Sequence, residues 1–468
     1  MFARWREPQG YRDVLRISLP LVVSMASSTV MQFTDRVFLS NYSLEAIAAA
    51  LPAGVACFLL IALFMGVAAY VNVFVAQYQG AGAYRRVGAS LWQGIHFALM
   101  AWLVLASFYF LADGLFAWVA HPPRVRVLET VYFKICILGA GFVVLSTALS
   151  CFFSGRGLTR PVMVVHLSAA ALNIPLDYAL IFGAGPFPEL GVAGAAIATV
   201  AAEALIVVLL AALIFNRRNE QEFGVLSGWR WHPEIFRRLV RFGFPGGGHF
   251  FLDVFAFTVF VLMVGRLGTV ELAASNVVLA LNMVAFLPMI GFSIGVSTLV
   301  GQAIGAGRPE EGARATASTL HITLCYMGLV GTAFVLAPHP LLALFGASSQ
   351  NPAEFAEITA VGVVVLRFVA LYTLFDGLAI IYSGALKGAG DIWFVLLAQG
   401  ACSLGVMALP LYLTLEVWHG GLYAAWACLT GYVAVLGTVF WYRFHTGKWR
   451  RMRVIESAEK LARTGQEG

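Results

Sequence analysis

The sequence predicts an all-α polytopic membrane protein, with twelve transmembrane helices in two six-helix lobes related by an internal parallel repeat. Three observations carry that expectation: a charge-poor, apolar composition, twelve apolar runs of spanning length, and a set of residues that recurs at constant offset.

Of 468 residues, 60% are hydrophobic and 12% charged, and the mean hydropathy is +0.83. A soluble domain is about one-quarter charged, so most of this chain must face lipid or other helices, leaving no sizeable soluble domain. The net charge of +6 would suit a polyanion, but the Lys and Arg residues form short clusters between apolar runs. There they set topology, and no nucleic-acid partner is expected. Cys57, Cys136, Cys151, Cys325, Cys402 and Cys428 stand singly in apolar stretches and read as buried thiols, with no CxxC pair or His at metal-ligand spacing. The start carries Arg4, Arg6, Arg12 and Arg16 without a short apolar stretch and cleavage site, and reads as retained.

A span needs about 20 mostly apolar residues. Runs of that kind fill 14–40, 46–76, 90–119, 128–153, 160–183, 190–216, 237–265, 271–304, 315–345, 355–386, 391–416 and 419–443. Pro20, Pro175, Pro245, Pro288 and Pro410 fall inside them, where a membrane helix accommodates proline at a kink. Twenty-four of the 30 Lys and Arg residues lie on the amino-terminal side, in alternate connections and in the tail, counting those in the adjoining first or last turns of the runs. That bias puts both termini of a multi-pass inner-membrane protein in the cytoplasm. Arg443, Lys448, Arg450, Arg451 and Arg453 give the tail a basic surface for anionic headgroups.

The repeat is explicit. Gln77, Gly80, Ala81 and Gly82 return as Gln302, Gly305, Ala306 and Gly307, and Pro20 as Pro245, all 225 residues later. Ser154-Gly155 returns as Ser383-Gly384, and Gly191, Ala195 and Ala196 as Gly420, Ala424 and Ala425, 229 residues later. With an even number of spans per half, both halves cross the membrane in the same sense, which is a transporter architecture. The expected organisation is a lobe over 1–216, a cytoplasmic linker over 217–236, a second lobe over 237–443 and a basic cytoplasmic tail over 444–468.

An ionisable side chain near the bilayer centre costs about 3 kcal/mol, so each one asks for a reason. Asp35, Asp177, Asp253 and Asp376 lie inside apolar runs, two in each half. Asn173, His249 and Tyr372 precede three of them by four residues, on the same helix face. Carboxylate, amide and hydroxyl oxygens suit a hard cation such as Na⁺, and equally a shuttled proton. Arg36 and Lys134 read as snorkelling to the interface, and Arg367, nine residues before Asp376, can do the same. Asn276 and Asn282 of the eighth run, with His249, are candidate substrate contacts. No Walker-type phosphate loop, His-rich metal motif or pair of Asp-rich loops is present, so neither ATP use nor an enzyme is expected, and no cofactor beyond a coupling ion.

Taken together, Gln-Xaa-Xaa-Gly-Ala-Gly after the second and eighth runs, Asn173-Ile-Pro-Leu-Asp177-Tyr178, and Tyr372-Thr-Leu-Phe-Asp376 followed by Ser383-Gly384 resemble the multidrug and toxic compound extrusion (MATE) family, in its NorM-like bacterial branch. The resemblance spans nearly the whole chain. It implies export of organic cations and amphipathic drugs in exchange for inward Na⁺, H⁺ or both, by alternating access of two lobes of a monomer. It also implies an amino-lobe coupling site at Asp35, Asn173, Asp177 and Thr199, and a second cation site at Asp253, Tyr372 and Asp376. Asp253 stands where that branch commonly carries Glu, one methylene longer, and Ser275-Asn276 where a Gln is frequent. A flippase for a lipid or lipid-linked precursor is the alternative of similar shape.

Overall fold

The structure, a computed structural model, describes residues 4–5, 7–119, 121–346 and 352–456. Twelve of its helices are long and apolar enough to cross a membrane: α1 Tyr11–Tyr42, α2 Leu44–Gly80, α3 Tyr84–Trp118, α4 Pro123–Ser154, α5 Arg160–Phe182, α6 Val192–Ile214, α7 Pro233–Val264, α8 Thr269–Gly305, α9 Pro309–Leu336, α10 Phe355–Ala389, α11 Ile392–Val417 and α12 Leu422–His445. Each expected run coincides with one of them. The ninth run was drawn through a break, for α9 stops at Leu336 and a short helix, Pro338–Gly346, follows. Ala337 leaves the helical region (φ −129°, ψ 47°), as a residue before proline does.

Pro20, Pro175, Pro245 and Pro288 sit within continuous helices. Pro410 is flanked by wide π-helical turns at Ser403–Ala408 and Leu413–Val417, which reroute the backbone bonds that a proline interrupts.

The repeat has a conformational cause at its glycine-rich signature. Gly82 and Gly307 both take φ +71°, a left-handed conformation that glycine adopts without strain. Each closes its helix with the same 6→1 bond, Ala83 N–H to Tyr78 O at 3.0 Å and Arg308 N–H to Ala303 O at 2.9 Å. The final glycine of Gly-Ala-Gly is therefore the residue that ends α2 and α8. The twin helices match in length as well, 32 residues for α1 and α7 and 37 for α2 and α8.

The chain forms two compact units. One holds Leu19–Gly248, Gly305–Gly307 and the described residues from Arg453 onward; the other holds the described residues before Leu19, His249–Ile304 and Arg308–Met452. In the first, α4 packs against α2, α3 and α6 around buried Ala53, Cys57, Phe133, Ile137 and Val144. The first half of α7 lies so close to α2 that a Cβ on Gly66 would stand 2.3 Å from the Gly247 Cα. The connection after α6 is folded onto α3: Gln93 Nε2 donates to Arg230 O at 3.1 Å, and Gln93 Oε1 accepts from His232 N–H at 3.2 Å. There Glu220 accepts from the backbone N–H groups of Leu226 and Ser227, which holds its carboxyl below the usual range.

In the second unit α10 packs against α9 and α12, repeating the central place of α4. Asp391, 6% exposed, takes a two-pronged contact from Arg443, Nε to Oδ2 at 2.6 Å and Nη2 to Oδ1 at 3.2 Å. Breaking a buried pair by removing one partner costs about 3–5 kcal/mol. Arg443→Ala is therefore expected to lower the thermal stability of the detergent-purified protein by roughly 3 kcal/mol, whereas Arg36→Ala, on an exposed side chain, is expected to leave it unchanged.

Candidate functional site: two buried carboxyl clusters

The first cluster joins α1, α5 and α6. Asn173 and Asp177 are fully buried and Asp35 is 8% exposed. Thr199 Oγ1 lies 3.1 Å from Asp35 Oδ2 and 3.0 Å from its own helix carbonyl, Ala195 O. The carboxyl groups of Asp35 and Asp177 lie within hydrogen-bonding reach of each other. Two carboxylates have no hydrogen to share, so this contact closes only around a proton or a cation. Asp35 Oδ1, both Asp177 oxygens, and Asn173 Oδ1 and Nδ2 have no hydrogen-bond partner among the described residues. Leaving such groups unmet costs about 1–3 kcal/mol each. A concentration of unmet oxygens in an apolar helix bundle is chemistry that a proton or small hard cation satisfies. Pro175, between Asn173 and Asp177, removes the N–H that would have met the Ala171 carbonyl. One turn beyond, Phe38 and Tyr178 meet edge to face with centroids 5.8 Å apart.

The second cluster joins α7, α10, α11 and α12. Asp253 Oδ1 accepts from Gln399 Nε2 at 3.2 Å, and Gln399 Nε2 also reaches the Tyr432 hydroxyl at 2.8 Å. Ser403, in the wide turn before Pro410, lies 3.3 Å from the same hydroxyl. Tyr372 is fully buried, its hydroxyl unpartnered among the described residues, and its ring stacks on Trp426 at 6.5 Å. Asp376 is within electrostatic range of Asp253 and of Tyr372. Lys387 Nζ lies 3.4 Å from His249 Nδ1 and within electrostatic range of Asp253.

The structure thus brings together Asp35, Asn173, Asp177 and Thr199, and separately Asp253, Tyr372 and Asp376. Among the proposed substrate contacts, Asn276 is exposed, Asn282 is buried and His249 faces Lys387; neither asparagine joins a cluster. Four residues escaped the sequence reading. Lys387 counted there as a loop charge, but α10 continues to Ala389 and places it in the last turn. The signal was available, since eleven residues separate it from Asp376 and that is three helical turns on one face. Glu203, four residues after Thr199 in α6, was equally legible as an acid in an apolar run. Gln399 and Tyr432 were not, because uncharged polar residues are common in such runs and their meeting is a tertiary event.

Residues 20–179 and 245–413 match the family model MatE, one match in each half. The chain belongs to the MatE family. This MatE chain is therefore a transporter and not an enzyme. It is 24% identical to a probable multidrug resistance protein NorM of Thermotoga maritima, over 98% of this chain and 97% of the relative. It is 28% identical to the multidrug resistance protein NorM of Burkholderia vietnamiensis, over 92% and 93%. Among solved structures, an outward-facing multidrug resistance MATE family transporter of the MOP superfamily superposes with a TM-score of 0.85 at 20% identity, covering 95% of this chain and 98% of that one. A MOP superfamily transporter from Pyrococcus furiosus gives 0.83 at 19%, over 96% and 98%.

The hydrogen bonding around Asp253 makes a direct prediction. Gln399→Leu removes its amide donor and leaves the Tyr432 hydroxyl with Ser403 alone, and is expected to cost about 1–3 kcal/mol of thermal stability. Asn276→Ala, outside the network, is expected to stay within about 0.5 kcal/mol; thermal unfolding of the two purified variants checks both.

Proposed function

We propose that this chain exports amphipathic organic cations from the bacterial cytoplasm in exchange for inward-moving cations, by alternating access of its two six-helix lobes. The observation that supports this best is the pair Asp35 and Asp177, two buried carboxyls within reach of each other with three of their four oxygens unpartnered. Such a pair exchanges a bound cation for none at little structural cost, and couples only if ion and drug prefer different states. Family membership and the NorM relatives support multidrug export as the transported class.

The proton is the first choice of coupling ion at this cluster. Thr199 can give its hydrogen to ionised Asp35, or to Ala195 O when Asp35 is itself a donor, so both protonation states are met. In this reading an outside proton neutralises the pair, drug leaves outward, and the inward-facing state gives the proton up as cytoplasmic drug binds. At Asp253 the neighbouring ammonium of Lys387 already supplies positive charge, so any Na⁺ held there adds to an existing cation. The excess of Lys and Arg at the amino terminus and in the tail supports cytoplasmic termini in the inner membrane. No ATP is required, and one chain suffices.

Ethidium efflux from drug-sensitive cells, with pH and Na⁺ gradients imposed separately, tests the reading. Asp35→Asn and Asp177→Asn are expected to lower efflux by two orders of magnitude or so, about 3 kcal/mol in the driven step, with normal insertion. Efflux that follows the Na⁺ gradient alone would move coupling to the carboxy-terminal cluster. No efflux from well-inserted parent protein would overturn the drug assignment and favour a lipid-linked substrate.

A further inference from the structure

Glu203 belongs to no cluster described so far, yet it shares the α6 face that carries Thr199, one turn further along. An acid in an apolar helix is kept against an energetic cost, which makes its surroundings informative. Its Oε2 lies 3.1 Å from the hydroxyl of Ser146 on α4, and that hydroxyl lies 3.0 Å from Val143 O. One hydroxyl has one hydrogen and cannot serve both acceptors at once. With Glu203 ionised, Ser146 donates to the carboxylate. With Glu203 protonated, its O–H donates to Ser146, which turns its hydrogen to Val143 O. A single hydroxyl rotation satisfies both states.

The same carboxyl–hydroxyl–carbonyl unit stands one turn away, built from Asp35, Thr199 and Ala195. Helix α6 gives the hydroxyl and the carbonyl to one carboxyl, Asp35, and carries the other, Glu203, whose hydroxyl and carbonyl come from α4. Helices α4 and α5 pack on α6, and α1 meets it at Thr199, bringing Asp35 and its neighbour Arg36. The other titratable or charged groups are Arg124, Arg126, Glu129, Tyr132, Lys134, Cys136 and Cys151 on α4, and Arg160, His166, Asp177 and Tyr178 on α5. None of them forms an ion pair with Glu203 among the described residues; Glu129 meets His121, and Lys134 meets Asp113. A hard metal ion needs several oxygens, and Glu203 has one hydroxyl partner, so the ligand that fits is a proton.

We propose that Glu203 is a second proton-carrying carboxyl of the amino-terminal six helices, with Ser146 as its switching partner. The step balances: a proton taken up from water becomes the O–H of Glu203 as its carboxylate turns into the carboxylic acid, Ser146 turns its hydrogen to Val143 O, and release of the proton to water restores the carboxylate. This inference rests on the proton arm of the antiport reading.

The experiment compares the parent with Glu203→Gln, Glu203→Asp and Ser146→Ala in proteoliposomes. It is paired with infrared titration of the protonated-carboxyl band on the purified parent and Glu203→Gln proteins. Glu203→Gln is expected to bind ethidium like the parent, within about twofold, while losing on the order of tenfold or more of the pH-gradient-driven rate. Glu203→Asp is expected to keep part of that rate, and Ser146→Ala to displace the pH profile of transport. The parent is expected to show a titrating carboxyl band that Glu203→Gln lacks. Parent-like transport by Glu203→Gln, or identical infrared titrations, would overturn the proposal while leaving the antiport reading standing. A parent without pH-driven efflux would take both down.

Discussion

A carboxyl group held among apolar helices must find a hydrogen, a cation or a compensating charge, and the two ways this chain meets that requirement organise the account. In the amino-terminal half, the hydrogen-bonding groups around Asp35 and Asp177 among the described residues are each other, Asn173 and one hydroxyl, and most of their oxygens are unmet. The cation within electrostatic range of Asp35 is the exposed Arg36. In the carboxy-terminal half, Asp253 has the Gln399 amide at 3.2 Å and the Lys387 ammonium within electrostatic range. The first arrangement is incomplete without an added cation. The second carries its cation on a tether.

That difference gives the duplicated halves unequal parts in the proposed cycle. Repeat symmetry sets equivalent helices, equivalent caps at Gly82 and Gly307, and equivalent central helices α4 and α10. It does not set equivalent electrostatics. The half with unpaired carboxyls suits exchange of a mobile proton. The half with Lys387, Gln399 and Tyr432 suits a standing network whose charge hardly changes, and the wide turns around Pro410 supply Ser403 to that network.

Much of this was legible in the sequence because it rests on local or composition-level physics. Spans announce themselves by length and hydropathy, and the ninth was blurred only where Pro338 divides one apolar stretch into two helices. Asp35, Asp177, Asp253 and Asp376 stood out because acids are rare in such runs, and the structure gathers them into two clusters. The Gly-Ala-Gly repeat was visible as a pattern, but its reason, a left-handed helix end, needed the backbone. Lys387 was misplaced by one residue of boundary, the run ending at 386 and the helix at Ala389. The pairing of Gln399 with Asp253 and Tyr432, and of Glu203 with Ser146, brings together different helices and leaves no trace in spacing.

The central claim is that drug and proton occupy opposed states of the same carboxyl pair. Adding ethidium to the purified protein in lightly buffered, Na⁺-free solution near neutral pH, while recording the proton concentration, tests it most directly. The account predicts net proton release as ethidium binds, and none from an Asp35→Asn protein that still binds. Saturable ethidium binding to the parent with no release of protons would contradict it.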